Sequence, residues 1–296
     1  MQYDDLHRNF IALFSSNIFL KRVFIKLTES TFEVSGRIEQ LKPKISQCKM
    51  VDCSNKVALV LGGAGNVGSG VVGGFLRRGY GRVAVISRDP VRLDNLRKQA
   101  GDAHERIVCI LGDVGSERSA EAARQEVIKQ CGRVDDIVTA IGFSWWQKGP
   151  VAQQSKTELE STLNSLVVAP FVAYKTFIPL VKDNPNGSYT FVTGGGADMY
   201  LIPGTGFMAV GGGAAQGLAR AGLKEHVNDP VCVTEICFML GVTPVPDQMP
   251  PAFTWIFNQD AGDAISMAAM KRAGRGKTSV IESLDGLKRL AENGVL

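Results

Sequence analysis

Gly62, Gly65 and Gly68, each separated from the next by two residues, have the spacing in this chain with the clearest chemical meaning. A pyrophosphate reaches main-chain N–H groups at a helix N-terminus only where no Cβ holds it away. Gly62 suits the tight turn, Gly65 with Asn66 and Val67 the backbone that meets phosphates, and Gly68 a close approach of helix to strand. The element in front must then be a buried strand and the one behind a helix. Residues 57–61, VALVL, form an unbroken apolar run suited to a strand covered on both faces. Val71, Val72, Phe75 and Leu76 follow at helical spacing. Glycine turns also join strands to helices without any ligand, so it is these flanks that carry the dinucleotide reading.

The next strand, RVAVIS at 82–87, ends in Ser87 and Arg88, with Arg88 twenty residues after Gly68. A dinucleotide site places there an acid for the ribose hydroxyls or a base for a 2′-phosphate. A guanidinium forks onto a phosphate, which predicts NADP(H) over NAD(H), with Asp89 as the alternative ribose partner. Asp113 after the third strand can accept from the adenine amino group while Val114 flanks the ring, or it can cap the following helix. Ala140 and Gly142 put small residues where the nicotinamide ribose approaches. The loop beyond them carries Trp145, Trp146 and Gln147, which either wall an apolar or aromatic substrate or plug the core.

Strands expected at 57–61, 82–87, 106–111, 135–141, 188–193, 231–238 and 278–282 alternate with helices expected at 91–100, 116–130, 158–181, 209–226, 263–272 and 284–293. That alternation predicts an α/β fold with a doubly wound parallel sheet of Rossmann type, a single domain over residues 51–296. Residues 241–251 read as a proline-rich loop, and the apolar stretch 158–181 as a helix buried between the sheet and a partner subunit. Residues 1–50 precede this domain as an N-terminal extension, read as an amphipathic arm, a degenerate targeting segment, or upstream sequence before a start at Met50. Their apolar part is too short and interrupted for a membrane span.

Of 296 residues, 45% are hydrophobic and 21% charged, and the net charge of +4 is spread without a basic stripe, which argues against nucleic acid as a partner. Six cysteines lack metal spacing, and Cys109, Cys232 and Cys237 lie in apolar runs, pointing to a reducing, cytoplasmic setting, with organellar import through residues 1–49 left open. His7, His104 and His226 lie far apart in sequence and read as solvated, so no metal site is expected.

Together LVLGGAGNVGSGVV, VISRDP, GDV, VAPFVAYKTFIPLV, GSYTFVTGG and AAQGLARAGL resemble the short-chain dehydrogenase/reductase superfamily over nearly all of residues 51–290. The glycine spacing is closer to the extended and atypical branches. The resemblance implies hydride transfer to a carbonyl, helped by a tyrosine, a lysine four residues later, a serine and an asparagine. Aligned on Gly217-Leu218, the tyrosine position holds Met208, the lysine position Gly212, the serine position Gly194 (with Thr193 beside it) and the asparagine position Leu166, two residues from Asn164. No tyrosine in the chain has a lysine four residues after it.

The catalytic residues are therefore unassigned. Thr193, Gln147, Tyr200 or a water remain as proton or hydrogen-bond donors, and Trp145, Trp146 and Met208 are expected to fill the hollow left by the missing side chains. Gly211, Gly212 and Gly213 suggest a helix that starts later, or backbone lying close to the cofactor. Two functions follow. One is an atypical NADP(H)-dependent oxidoreductase of an apolar or aromatic carbonyl or enone; the other is a non-catalytic NADP(H)-binding sensor or scaffold. Either is expected to form a homodimer or homotetramer.

Overall fold

The computed structural model describes residues 52–142, 150–197, 204–249 and 254–296, which belong to one compact unit. Residues 1–51, the loop with Trp145, Trp146 and Gln147, and the segment with Tyr200 lie outside the described residues.

Seven parallel strands form the sheet: β1 (Val57–Leu61), β2 (Arg82–Ser87), β3 (Ile107–Leu111), β4 (Asp136–Thr139), β5 (Ser188–Gly194), β6 (Cys232–Phe238) and β9 (Thr278–Ile281). Their order is β3-β2-β1-β4-β5-β6-β9, so the order in which strands are added reverses between β1 and β4. Helices α1 (Asn66–Arg77), α2 (Pro90–Gln99), α7 (Asn258–Lys271) and α8 (Leu284–Asn293) lie toward one core cluster. On the opposite face are α3 (Glu117–Cys131), α4 (Lys156–Leu163), α5 (Ala169–Phe177) and α6 (Gly206–Glu225). Covered on both sides, β1 has all five residues buried, which is why its sequence is apolar without alternation.

Two features outside the sequence reading hold the cofactor half together. First, α1 crosses α7 backbone to backbone. A Cβ on Gly70 would lie 1.8 Å from the Asn258 carbonyl oxygen, and one on Gly262 would lie 2.0 Å from the Gly70 carbonyl. Second, the wholly buried Asp136 starts β4 and accepts from the Tyr80 hydroxyl at 2.6 Å and the Ser188 hydroxyl at 2.6 Å. Arg272 lies 3.6 Å and Lys56 4.0 Å away. Burial pushes the Asp136 carboxyl up, while Ser188, Tyr80, Lys56 and Arg272 oppose that shift. Beside it Asp135 accepts from the Val57 N–H at 2.9 Å, tying the starts of β4 and β1 together.

Several boundaries differ from expectation for physical reasons. Helix α6 does not start late: it begins at Gly206 and runs through Gly211–Gly213. Gly211 serves packing, because a Cβ there would lie 2.5 Å from Leu166 Cδ1. The stretch read as a proline loop contains β7 (Gly241–Thr243), paired in parallel with β8 (Trp255–Phe257), and α7 begins at Asn258, earlier than 263. Such short strands are set by their partner, which no local pattern reveals.

The helix expected at 158–181 is interrupted by a π-helical turn at Asn164–Val168. By composition, Lys156–Leu180 is long and apolar enough to cross a membrane, and in this fold it packs Val172, Ala173, Tyr174 and Phe177 into the core. His226 is not solvated, since its Nδ1 lies 2.5 Å from Asp229 and its ring meets the Tyr174 edge.

Gly70→Ala should cost at least about 2 kcal/mol, because backbone on both sides must move. Gly217→Ala, at a helical site with open space around it, should stabilise by about 0.5–1 kcal/mol. Thermal unfolding of the two variants checks the opposite signs. Asp136→Ala should lose about 3–5 kcal/mol, since Arg272 and two hydroxyls are left without their acceptor; the readout is the urea midpoint.

Candidate functional site

The site is built where the sheet order reverses, at the carboxyl ends of β1 and β4. Gly62 turns the chain at φ +81, and a Cβ there would meet the Ala140 carbonyl oxygen at 2.4 Å. A Cβ on Gly68 would meet the Gly62 carbonyl at 2.1 Å, so α1 can lie against the turn only if that position is bare. Gly65 is the N-cap and offers α1 no side-chain acceptor. The N–H groups of Asn66, Val67 and Gly68 therefore open the helix without an intrahelical partner. This bare end, with the positive pole of the helix behind it, fits a pyrophosphate.

Asn66 contributes only its backbone to that end. Its side chain turns away and donates to the Val242 carbonyl at 2.6 Å, while the Asn258 amide donates to the Asn66 carbonyl at 3.0 Å. These two bonds anchor the start of α1 to β7 and α7. Val67 is half-buried and packs on the core cluster beneath the turn.

At the end of β2 the roles of neighbouring residues separate. Asp89 accepts from the N–H groups of Val91 at 2.9 Å and Arg92 at 3.2 Å, so it is committed to capping α2. Ser87 Oγ accepts from the Asp89 N–H at 3.2 Å. Arg88 is left as an exposed cation, 77% accessible, and among the described residues its ion-pair partner is Asp113 Oδ2 at 3.9 Å. Asp113 does not cap α3: the N-cap is Ser116, while Asp113 Oδ1 accepts from the Gly115 N–H at 2.9 Å. Its own N–H donates to Ser119 Oγ at 2.8 Å, which fixes the carboxylate at the sheet edge beside the half-buried Val114. Ala140 follows β4 with its N–H on the Leu61 carbonyl at 2.9 Å, and Gly142 turns away at φ +139.

The positions aligned with the missing catalytic groups come together, but they are apolar. Leu166, in the π-helical turn, lies between Gly142 and Gly211, and a Cβ on Gly142 would be 3.2 Å from Leu166 Cδ2. Met208 covers Gly196, Gly212 faces Ala197, and Asn164 is exposed away from the group. Leu166 thus fills the space over Gly211, and Met208 that over Gly196. The tryptophans and Gln147 lie outside the described residues.

Thr193 is half-buried, and its hydroxyl donates to Glu235 Oε1 at 2.7 Å. Gln216 of α6 donates to the Gly194 carbonyl at 3.2 Å. Neither Glu235 nor Gln216 is evident from the sequence. Each is a polar residue inside an otherwise apolar or small-residue element, and that is the one signal available.

The sequence model for short chain dehydrogenases matches residues 56–249. A 3-oxoacyl-(acyl-carrier-protein) reductase from Homo sapiens is 26% identical over 182 residues, 62% of this chain and 74% of the relative. A cis-2,3-dihydrobiphenyl-2,3-diol dehydrogenase from Pseudomonas sp. (strain KKS102) is 26% identical over 164 residues, covering 54% of each chain. Among solved structures, ElxO with NADP bound matches with a TM-score of 0.67 at 16% identity, over 76% of this chain and 96% of its own. A dehydrogenase/reductase from Sinorhizobium meliloti 1021 matches with a TM-score of 0.67 at 18% identity, over 78% and 95%. The match in sequence spans the same strands and turns that build the site, and this chain belongs to the short-chain dehydrogenase/reductase family.

Proposed function

We propose that this chain is an NADP(H)-dependent oxidoreductase acting on an apolar or aromatic small molecule. The observation that carries the reading is the start of α1, without a side-chain cap, at the β1/β4 reversal, with the exposed Arg88 paired only loosely, at 3.9 Å, with Asp113 at the end of β2. Because Asp89 is taken by α2, the ribose end offers a guanidinium and no uncommitted acid, which favours a 2′-phosphate. ElxO, which shares the fold, has NADP bound, and a Pseudomonas relative is named for a dihydrobiphenyl-diol substrate, in keeping with an apolar ligand.

When bound, the nicotinamide supplies hydride chemistry. The residues here then have distinct tasks. The N–H groups of Asn66, Val67 and Gly68 would hold the pyrophosphate, Arg88 the 2′-phosphate, and Asp113 with Val114 the adenine. Ala140 and Gly142 leave room for the ribose, while Leu166 and Met208 exclude water beside the reacting end.

A second reading, a nucleotide-binding sensor or scaffold without turnover, draws on the apolar residues at all four aligned catalytic positions. The two readings separate on NADPH titration followed by a panel of alcohols, ketones, enones and quinones. Stoichiometric binding without turnover of any member favours the sensor.

The same reading includes a dimer or tetramer through α5 and α6. Val168, Phe171 and Val210 are exposed large apolar side chains, 42%, 46% and 48% accessible, beside exposed Gly213, Ala214 and Gly217.

Arg88→Ala should weaken NADPH binding by roughly tenfold or more, the worth of a charge-assisted contact, and leave NADH within about twofold; calorimetric titration with both nucleotides is the check. Phe171→Glu should shift the oligomer toward monomer in light scattering, and an unchanged mass would remove this face from the interface.

A further inference from the structure

Glu235 stands in the middle of β6, in register with Phe191 of β5 and Thr278 of β9, and it is wholly buried. A carboxylate out of water is costly unless its oxygens are hydrogen-bonded and a cation is near. Here hydroxyls serve both oxygens: Thr193 Oγ1 donates to Oε1 at 2.7 Å, and Thr278 Oγ1 donates to Oε2 at 2.6 Å. Among the described residues no basic side chain forms an ion pair with it. An acid is thus kept inside the sheet without a counter-ion, linked through one hydroxyl to the edge where the cleft opens.

That hydroxyl is the informative atom. Thr193 is half-buried and the next residue, Gly194, is exposed at the end of β5. A threonine hydroxyl has one proton and two lone pairs. Its proton is directed at Glu235, and among the described residues no group donates to Oγ1. Its lone pairs are therefore left as acceptors, at a half-buried position near the carboxyl end of β5. The aligned catalytic positions, Met208, Gly212, Leu166 and Gly194, have no polar side chain to compete.

We propose that Thr193 accepts a hydrogen bond from the hydroxyl of an apolar alcohol and that Glu235 is the positioning residue behind it, keeping the Thr193 proton turned inward so that Oγ1 is left as an acceptor. The inference rests on the cleft being the nicotinamide site proposed above. The site then selects the alcohol member of an alcohol/ketone pair, because a ketone has no proton to offer Thr193.

The test uses 1-phenylethanol and acetophenone, a pair differing by that one group, with binding read by saturation-transfer NMR on the full chain with and without NADP⁺. The wild type should bind the alcohol roughly tenfold better than the ketone, the worth of one hydrogen bond backed by a charge. Thr193→Val should abolish the preference. Glu235→Leu frees the Thr193 proton for a carbonyl and should bring the two ligands within about twofold. Thr278→Val perturbs the same buried carboxylate but leaves the Thr193 bond in place, so the preference should survive.

If Glu235→Leu does not fold, the contrast between Thr193→Val and Thr278→Val decides the matter. A wild type that favours the ketone, shows no preference or binds neither ligand overturns the proposal. So does a preference that survives Thr193→Val, or one that Thr278→Val removes equally. NADPH titration of the same samples isolates the cofactor reading: alcohol preference without nucleotide binding sinks that reading alone, and nucleotide binding without alcohol preference sinks this one.

Discussion

Around α1, backbone lies directly on backbone, and the cofactor half of the molecule depends on that contact. The Gly62 carbonyl fills the space where Gly68 would have a Cβ, the Ala140 carbonyl does the same at Gly62, and Gly70 and Gly262 let α1 and α7 touch. Interiors pack as densely as crystals, so a single added methyl at such a place must displace main chain. The result is a helix start held to within a fraction of an ångström of the sheet edge. Among the described residues its N–H groups have no capping side chain.

The same economy of side chains reappears at the other end of the cleft, with a different outcome. Glycine at Gly211 and Gly142 makes room for Leu166, and glycine at Gly196 makes room for Met208. Where polar groups would be aligned, the chain has packed hydrocarbon. One layer down, in β5, β6 and β9, Thr193, Glu235 and Thr278 are linked by hydrogen bonds. A buried acid served only by hydroxyls is an expensive feature to keep in a sheet. The adjoining polar contact, Gln216 on the Gly194 carbonyl, ties α6 to the same strand end.

At the far edge of the sheet, the Asp136 cluster with Tyr80, Ser188, Lys56 and Arg272 serves a structural end. It joins the starts of β1, β4 and β5 and the end of α7, so the strands whose other ends carry the cleft cannot slide relative to one another. The two buried acids thus divide the sheet: one fixes register at the amino edge, and the other lies in mid-strand of β6, bonded to Thr193 and Thr278.

Sequence alone was enough for whatever rests on local periodicity. The seven strands, the glycine turn, Arg88 after β2 and the family resemblance all follow from runs of residues close in the chain, because burial on two faces and a bare turn each leave a local imprint. Tertiary structure decided what depends on distant partners. That Arg88 lies by Asp113, that Asn66 faces Val242, that β7 pairs with β8, and that Leu166 fills the space over Gly211 are facts about neighbours far apart in sequence. The same holds for Glu235, which from the sequence is one acid in an apolar strand. Only the fold sets it between two hydroxyls, because hydrogen-bond partners across a sheet are chosen by strand order and register, and a single strand's composition encodes neither.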